Sequence, residues 1–173
     1  MMRPEHLDEI GKYSNEFLPE FKELRIVEIK KRPLYLLYPS YSCVFGGKIL
    51  LARDWDKWGF TAQCANLIHE VTHVFQWARY ENWEWKWLTS KSYRMTFELE
   101  AFGREICYWV LKDKIPDIRA GGTPSDLARQ SEILKNIAYT LLVTYGLKSI
   151  TTENWLWQCL ATQVIYSLDK RDR

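Results

Sequence analysis

His69-Glu70-Val71-Thr72-His73 sets two imidazoles four residues apart with a carboxylate between them. On a helix, such residues stand one turn apart on one face, so both rings can reach a single ion while the glutamate projects to its side. Imidazole nitrogens at about 2.0–2.1 Å suit Zn²⁺. A carboxylate beside a metal-activated water suits a general base. The chemistry that fits this spacing is metal-assisted hydrolysis, with His69 and His73 as ligands and Glu70 as the base. The chain has only three histidines, and chance rarely sets two of them in this frame.

The phase of the helix agrees. With His69 as zero at about 100° per residue, Cys64, Leu67, Ile68, Val71, Val74, Phe75 and Ala78 gather on the opposite side and form a core stripe. Ala62, Ala65 and Asn66 share the histidine face, where small or polar neighbours leave room for a metal and its water.

Zinc of this type takes a third protein ligand and keeps its fourth position for water. No histidine follows His73, and Gln76 and Arg79 stand where the longer HExxHxxGxxH pattern would place its glycine and third histidine. Carboxylates remain, and Phe97-Glu98-Leu99-Glu100-Ala101 supplies two in a strongly apolar helical segment. With Glu98 as zero, Met95, Leu99, Phe102, Ile106, Trp109 and Val110 cluster near ~70°. Glu98 lies at the margin of that stripe. Glu100, at about 200°, points to solvent. Glu98 is therefore the expected third ligand.

Here the chain resembles the gluzincins, metallopeptidases in which HExxH on one helix is completed by a glutamate from the next. Glu98-Leu99-Glu100-Ala101 is similar to the ExxA form of their second motif. The resemblance covers roughly residues 41 to 110 as a match of spacing and pattern. It implies a zincin-like fold, a Zn²⁺ cofactor and hydrolysis of an amide bond in a protein or peptide substrate. It also implies an edge strand before the motif helix, a place that Lys48 to Arg53 takes. Many gluzincins carry an aspartate four residues after the ligand glutamate, where this chain has Phe102, so Asn66 or a backbone carbonyl is expected to orient a histidine instead. Tyr93 and Arg94, one turn before Glu98, have the chemistry of an oxyanion or substrate contact.

The elements that must position these residues can be read outward from them. A helix is expected near Thr61 to Tyr80 around the motif and another near Tyr93 to Asp113 around Glu98, with further helices over Pro124 to Tyr145 and Thr152 to Leu168. Gly121-Gly122-Thr123-Pro124 and Gly146 supply breaks between them. Pro4 opens a first helix that ends before Pro19, with His6 in its first turn as a solvated side chain. Between these helices, Leu24 to Ile29, Leu34 to Tyr38, Tyr41 to Phe45 and Lys48 to Arg53 read as short strands. Gly46-Gly47 joins the last two as a two-residue hairpin turn. The expected class is α+β: a small antiparallel sheet over about 24–53 packed on one mainly helical, zincin-like domain spanning 1–173.

Composition limits the alternatives. Apolar residues make up 47% and charged residues 27%, and the net charge of +2 has its acids and bases interspersed. This provides no footprint for nucleic acid or an anionic membrane. No apolar run approaches spanning length and the first residues lack the apolar core of a secretory signal, so the expected compartment is cytoplasmic. Cys43, Cys64, Cys107 and Cys159 form no CxxC pair and read as reduced thiols. Nine tryptophans are many for 173 residues. Trp83, Trp85 and Trp87 would share a face if their segment were extended, giving either a packing stripe or a contact platform. Trp155 and Trp157 read as packing residues. Two other readings of the chain remain: a catalytically silent zincin-fold scaffold that binds through this Trp-rich surface, and a helical interaction domain in which HExxH is coincidental. Glu70 favours the enzyme, because a purely structural site gains nothing from a base that is not a ligand.

Overall fold

The computed structural model describes residues 2–17, 29–31, 42–115 and 131–169. The class is α+β, with helices predominating over a small sheet. Two compact units divide the chain, Met1–Glu84 and Trp85–Arg173.

The first unit opens with α1, Pro4–Phe17. Proline at the first helical position costs nothing, since its missing N–H would have no intrahelical partner there. Among the described residues three strands follow, β1 (Ile29–Lys31), β2 (Cys43–Phe45) and β3 (Lys48–Leu51). Gly46 and Gly47 take φ of 56° and 70°, the left-handed pair that a tight hairpin between β2 and β3 requires. The hairpin is antiparallel, with Val44 opposite Ile49.

The sheet as a whole is not antiparallel. β1 pairs in parallel with β3, and the order is β1-β3-β2. Alternation of apolar and polar residues fixes which face a strand buries but carries no information on its direction. The same order places β3 in the centre, so the stretch from Lys48 is no edge strand; β2 and β1 flank it. The expected strand Leu34 to Tyr38, most of Leu24 to Ile29, and the Gly121-Gly122-Thr123-Pro124 break lie outside the described residues.

A short 3₁₀ turn over Trp55–Lys57 leads into α2, Phe60–Arg79. α2 packs against α1 and against both strands of the hairpin. Its stripe of Cys64, Leu67, Ile68 and Val71 is buried, with Ile10, Ile49, Leu51 and Trp55 also in the core. The stripe fades toward the C-terminus, where Val74 and Phe75 are half-buried and Ala78 is exposed.

His6 is buried, against the expectation of a solvated ring. Its Nδ1 accepts from the Arg3 backbone N–H at 3.0 Å, and its Nε2 lies 2.7 Å from Gln63 Oε1. With Nδ1 accepting, the proton sits on Nε2 and is donated to Gln63. Gln63 Nε2 in turn donates to the Trp55 carbonyl at 2.9 Å. A lone histidine in an amphipathic pattern gives no sign of its partner when that partner is 57 residues away.

α3, Trp83–Thr89, is a helix rather than the extended segment that would align its three indoles. Helical spacing separates the indoles: Trp83 is buried, Trp87 is half-buried four residues on, and Trp85 turns away with 68% of its surface exposed.

In the second unit, Ser90 caps α4 (Lys91–Leu111) with its side chain, accepting from Tyr93 N. α5 (Glu132–Tyr139) runs into a wider π-turn over Thr140–Thr144, and Gly146 at φ 68° ends it where the sequence places the stop. α6, Glu153–Asp169, packs along α4. In α6, Trp157 is buried as expected but Trp155 is exposed. α4 and α6 approach closely at Gly103, where an added Cβ would stand 2.9 Å from Gln163 Cβ. Alanine there would gain about 1 kcal/mol of helix propensity and lose about 1–3 kcal/mol to overpacking against an atom fixed to a neighbouring backbone. Gly103→Ala is therefore expected to lower the urea midpoint; an unchanged or higher midpoint would show that the two helices part easily.

All four cysteines are free thiols. Burial pushes the Cys159 thiol up, which keeps it protonated at neutral pH. No helix among the described residues is long and apolar enough to cross a membrane.

Candidate metal centre

The middle of α2 carries the histidine pair. His69, Glu70 and His73 are each only 4% exposed, so this face of the helix is as dry as the opposite stripe. The two Nε2 atoms stand 3.1 Å apart, with the ring planes at 80°. The backbone around them is well anchored. Thr72 returns its hydroxyl to the Ile68 carbonyl at 2.8 Å, and Asn66 Oδ1 accepts from Ser42 Oγ at 2.7 Å.

Asn66 is thus engaged with the strand side and does not orient a histidine. Gln76 does so: its Oε1 lies 2.8 Å from His73 Nδ1, and both side chains are buried. An amide oxygen can only accept, so Nδ1 carries the ring proton and Nε2 presents a lone pair. A lone pair 3.1 Å from another ring nitrogen needs a proton or a metal ion between them. Either His69 supplies a proton on its Nε2, or one metal ion is shared by both rings. Two nitrogens on a tetrahedral zinc at 2.0–2.1 Å stand about 3.3 Å apart. The observed spacing therefore fits a shared ion after a shift of a few tenths of an ångström.

In the second unit Glu98 sits on α4 with 1% of its surface exposed. Trp87 Nε1 donates to its Oε1 at 2.6 Å. The indole is itself held from above by Arg94, whose guanidinium carbon lies 4.7 Å from the ring centroid. Glu100, two residues on, is half-buried and paired with Arg104 at 2.8 Å, an ordinary i,i+4 ion pair.

Tyr93 and Arg94 are placed differently from an oxyanion pair. Arg94 donates to three backbone carbonyls, Trp87 at 2.9 Å, Leu88 at 2.8 Å and Tyr145 at 3.0 Å. It closes the end of α3 and ties α4 to the turn before Gly146. Tyr93 is exposed, with its ring 5.9 Å from Phe97 and Lys86 Nζ 5.3 Å over it.

His69, His73 and Glu98 are the buried donors that could hold a metal ion among the described residues. Two imidazoles and one carboxylate are a donor set that a metal ion could take. Gln76 and Trp87 are the site residues that sequence reasoning missed. Gln76 had a signal, since i+3 from His73 is the same helix face. Trp87 had none, because its contact to Glu98 spans two helices. No family model, curated protein or solved structure matches this chain.

Proposed function

We propose that this chain is a zinc-dependent metallopeptidase of the zincin type, in which His69, His73 and Glu98 hold Zn²⁺ and Glu70 acts as general base on an amide bond of a protein or peptide. The observation that carries the reading is the convergence of two buried Nε2 atoms at 3.1 Å, one of them with its tautomer fixed for ligation. A structural metal site would be served by the ligands alone. The adjacent glutamate, buried on the same helix, gives the site a group that can move a proton.

Bound zinc supplies Lewis-acid polarisation of a carbonyl and lowers the pKa of water toward neutrality. The residues of this chain do the rest. Gln76 keeps His73 in the Nε2-ligating tautomer, and Trp87 fixes one oxygen of Glu98. The Glu70 carboxylate accepts a proton from the attacking water and returns it to the leaving amine, so the carboxylate is regenerated each turnover. Burial excludes bulk water from these groups and strengthens their electrostatic interactions.

Metal analysis of protein purified without added zinc tests the reading, with about one zinc per chain expected. Within it, Glu98→Ala is expected to lose zinc affinity strongly and Glu100→Ala to keep it, since Glu100 is engaged with Arg104. Weakened binding confined to Glu100→Ala would reverse the ligand assignment. Purified protein with no stoichiometric metal even after reconstitution would sink the site. Exposed Trp85 is the feature favouring a binding protein, and that reading predicts bound zinc with no hydrolysis under any condition.

A further inference from the structure

We propose that the surface where the end of α3 meets the start of α4 and the turn around Gly146 docks an acidic segment of a partner protein, one that alternates carboxylates with large apolar side chains. All of this surface belongs to the second unit. Acids and bases are interspersed over the chain as a whole, but residues 85–97 and 139–152 carry Lys86, Lys91, Arg94 and Lys148 and no aspartate or glutamate.

Hydrogen bonds draw these two segments together. Arg94 donates to the carbonyls of Leu88 and Tyr145, and Lys91 Nζ donates to Ser149 Oγ at 2.7 Å, beside Lys148. Lys86 Nζ stands 5.3 Å over the Tyr93 ring. Lys91 opens α4 with no acid in its first turn, although the positive end of a helix dipole disfavours a cation there. Like charges gathered against that field favour an anion from outside. Beside them, Trp85 and Leu88, one turn apart on α3, are 68% and 61% exposed, and Tyr93 and Ile150 are exposed as well. Large apolar side chains left this open next to one another mark a contact surface. The chemistry selects a peptide over nucleic acid or lipid. Arg94, the one guanidinium in these segments, is engaged with backbone carbonyls, so the fork that phosphate recognition favours is taken and lysines carry the free charge. Exposed Thr89, Ser92 and Thr144 interrupt the apolar side chains, and their hydroxyls suit a peptide backbone rather than the acyl region of a bilayer.

Fluorescence anisotropy of a short labelled peptide alternating Glu with Leu and Phe, titrated with the full chain at about 50 and 300 mM salt, tests the docking. Saturable binding that weakens with salt is expected, and the same peptide with Gln in place of Glu is expected to bind less tightly. Lys86→Gln, Lys91→Gln and Lys148→Gln combined are expected to weaken binding about tenfold at low salt and to flatten its salt dependence. Leu88→Ser is expected to weaken it at both salts, and Lys135→Gln, at an exposed lysine of α5, to leave it unchanged. Absence of saturable binding to the acidic peptide, or equal binding by the triple variant, overturns the proposal. Tighter binding to a single-stranded oligonucleotide, or to vesicles of phosphatidylcholine and phosphatidylserine in equal parts, overturns it as well and assigns the surface to nucleic acid or to a membrane. None of these outcomes depends on zinc, and the recovered peptide is checked for cleavage by mass spectrometry.

Discussion

Replacing His69 or His73 by alanine is expected to strip zinc from the purified protein and to weaken its rebinding by about 10²–10³-fold. The magnitude follows from sharing the ~10–16 kcal/mol of a four-donor zinc site among its ligands, about 3–4 kcal/mol for each. Loss of the side chain also removes one half of a pair whose nitrogens lie 3.1 Å apart. Competition against a chromophoric chelator measures the change. The two variants are expected to fall together, since each ring contributes one equivalent donor. A large loss in one and none in the other would mean that the ion is held elsewhere and the remaining histidine is part of the core.

The second large effect is on rate rather than binding. Glu70→Gln preserves the shape of the side chain and its burial beside His69, but an amide cannot take up the proton. Zinc content is expected to match wild type, while cleavage of an internally quenched peptide library falls by about 10²–10⁴-fold, the usual contribution of a positioned base. Loss of metal in this variant would make Glu70 a ligand and remove it from the proton pathway. Undiminished cleavage would assign proton transfer to another group.

The elements around the chemistry were legible because each announces itself locally. α2 and α4 follow from their apolar stripes, and the Gly46-Gly47 turn from its tolerance of positive φ. Burial of Glu98 could be read from its place at the margin of a stripe. What the sequence hid was pairing over distance. The parallel partnership of β1 with β3, the contact of Trp87 with Glu98, and the burial of His6 each depend on which element becomes a neighbour, and periodicity is silent on that. Trp83, Trp85 and Trp87 show a related limit. An alternating run of large aromatics suits a strand as well as a short helix, and only the helix sends Trp85 away from its neighbours.

The His6 junction has a consequence for how this chain trades its amide hydrogens with deuterated solvent. Amides at the start of a helix have no intrahelical acceptor and ordinarily exchange first. The Arg3 amide is bonded instead to Nδ1 of His6, and the other ring nitrogen is locked to Gln63 near the beginning of α2. Exchange of that hydrogen requires its bond to His6 to open, and the Gln63 bond that holds the ring makes such opening rarer, so its uptake of deuterium is expected to be slow for an amide at a helix start.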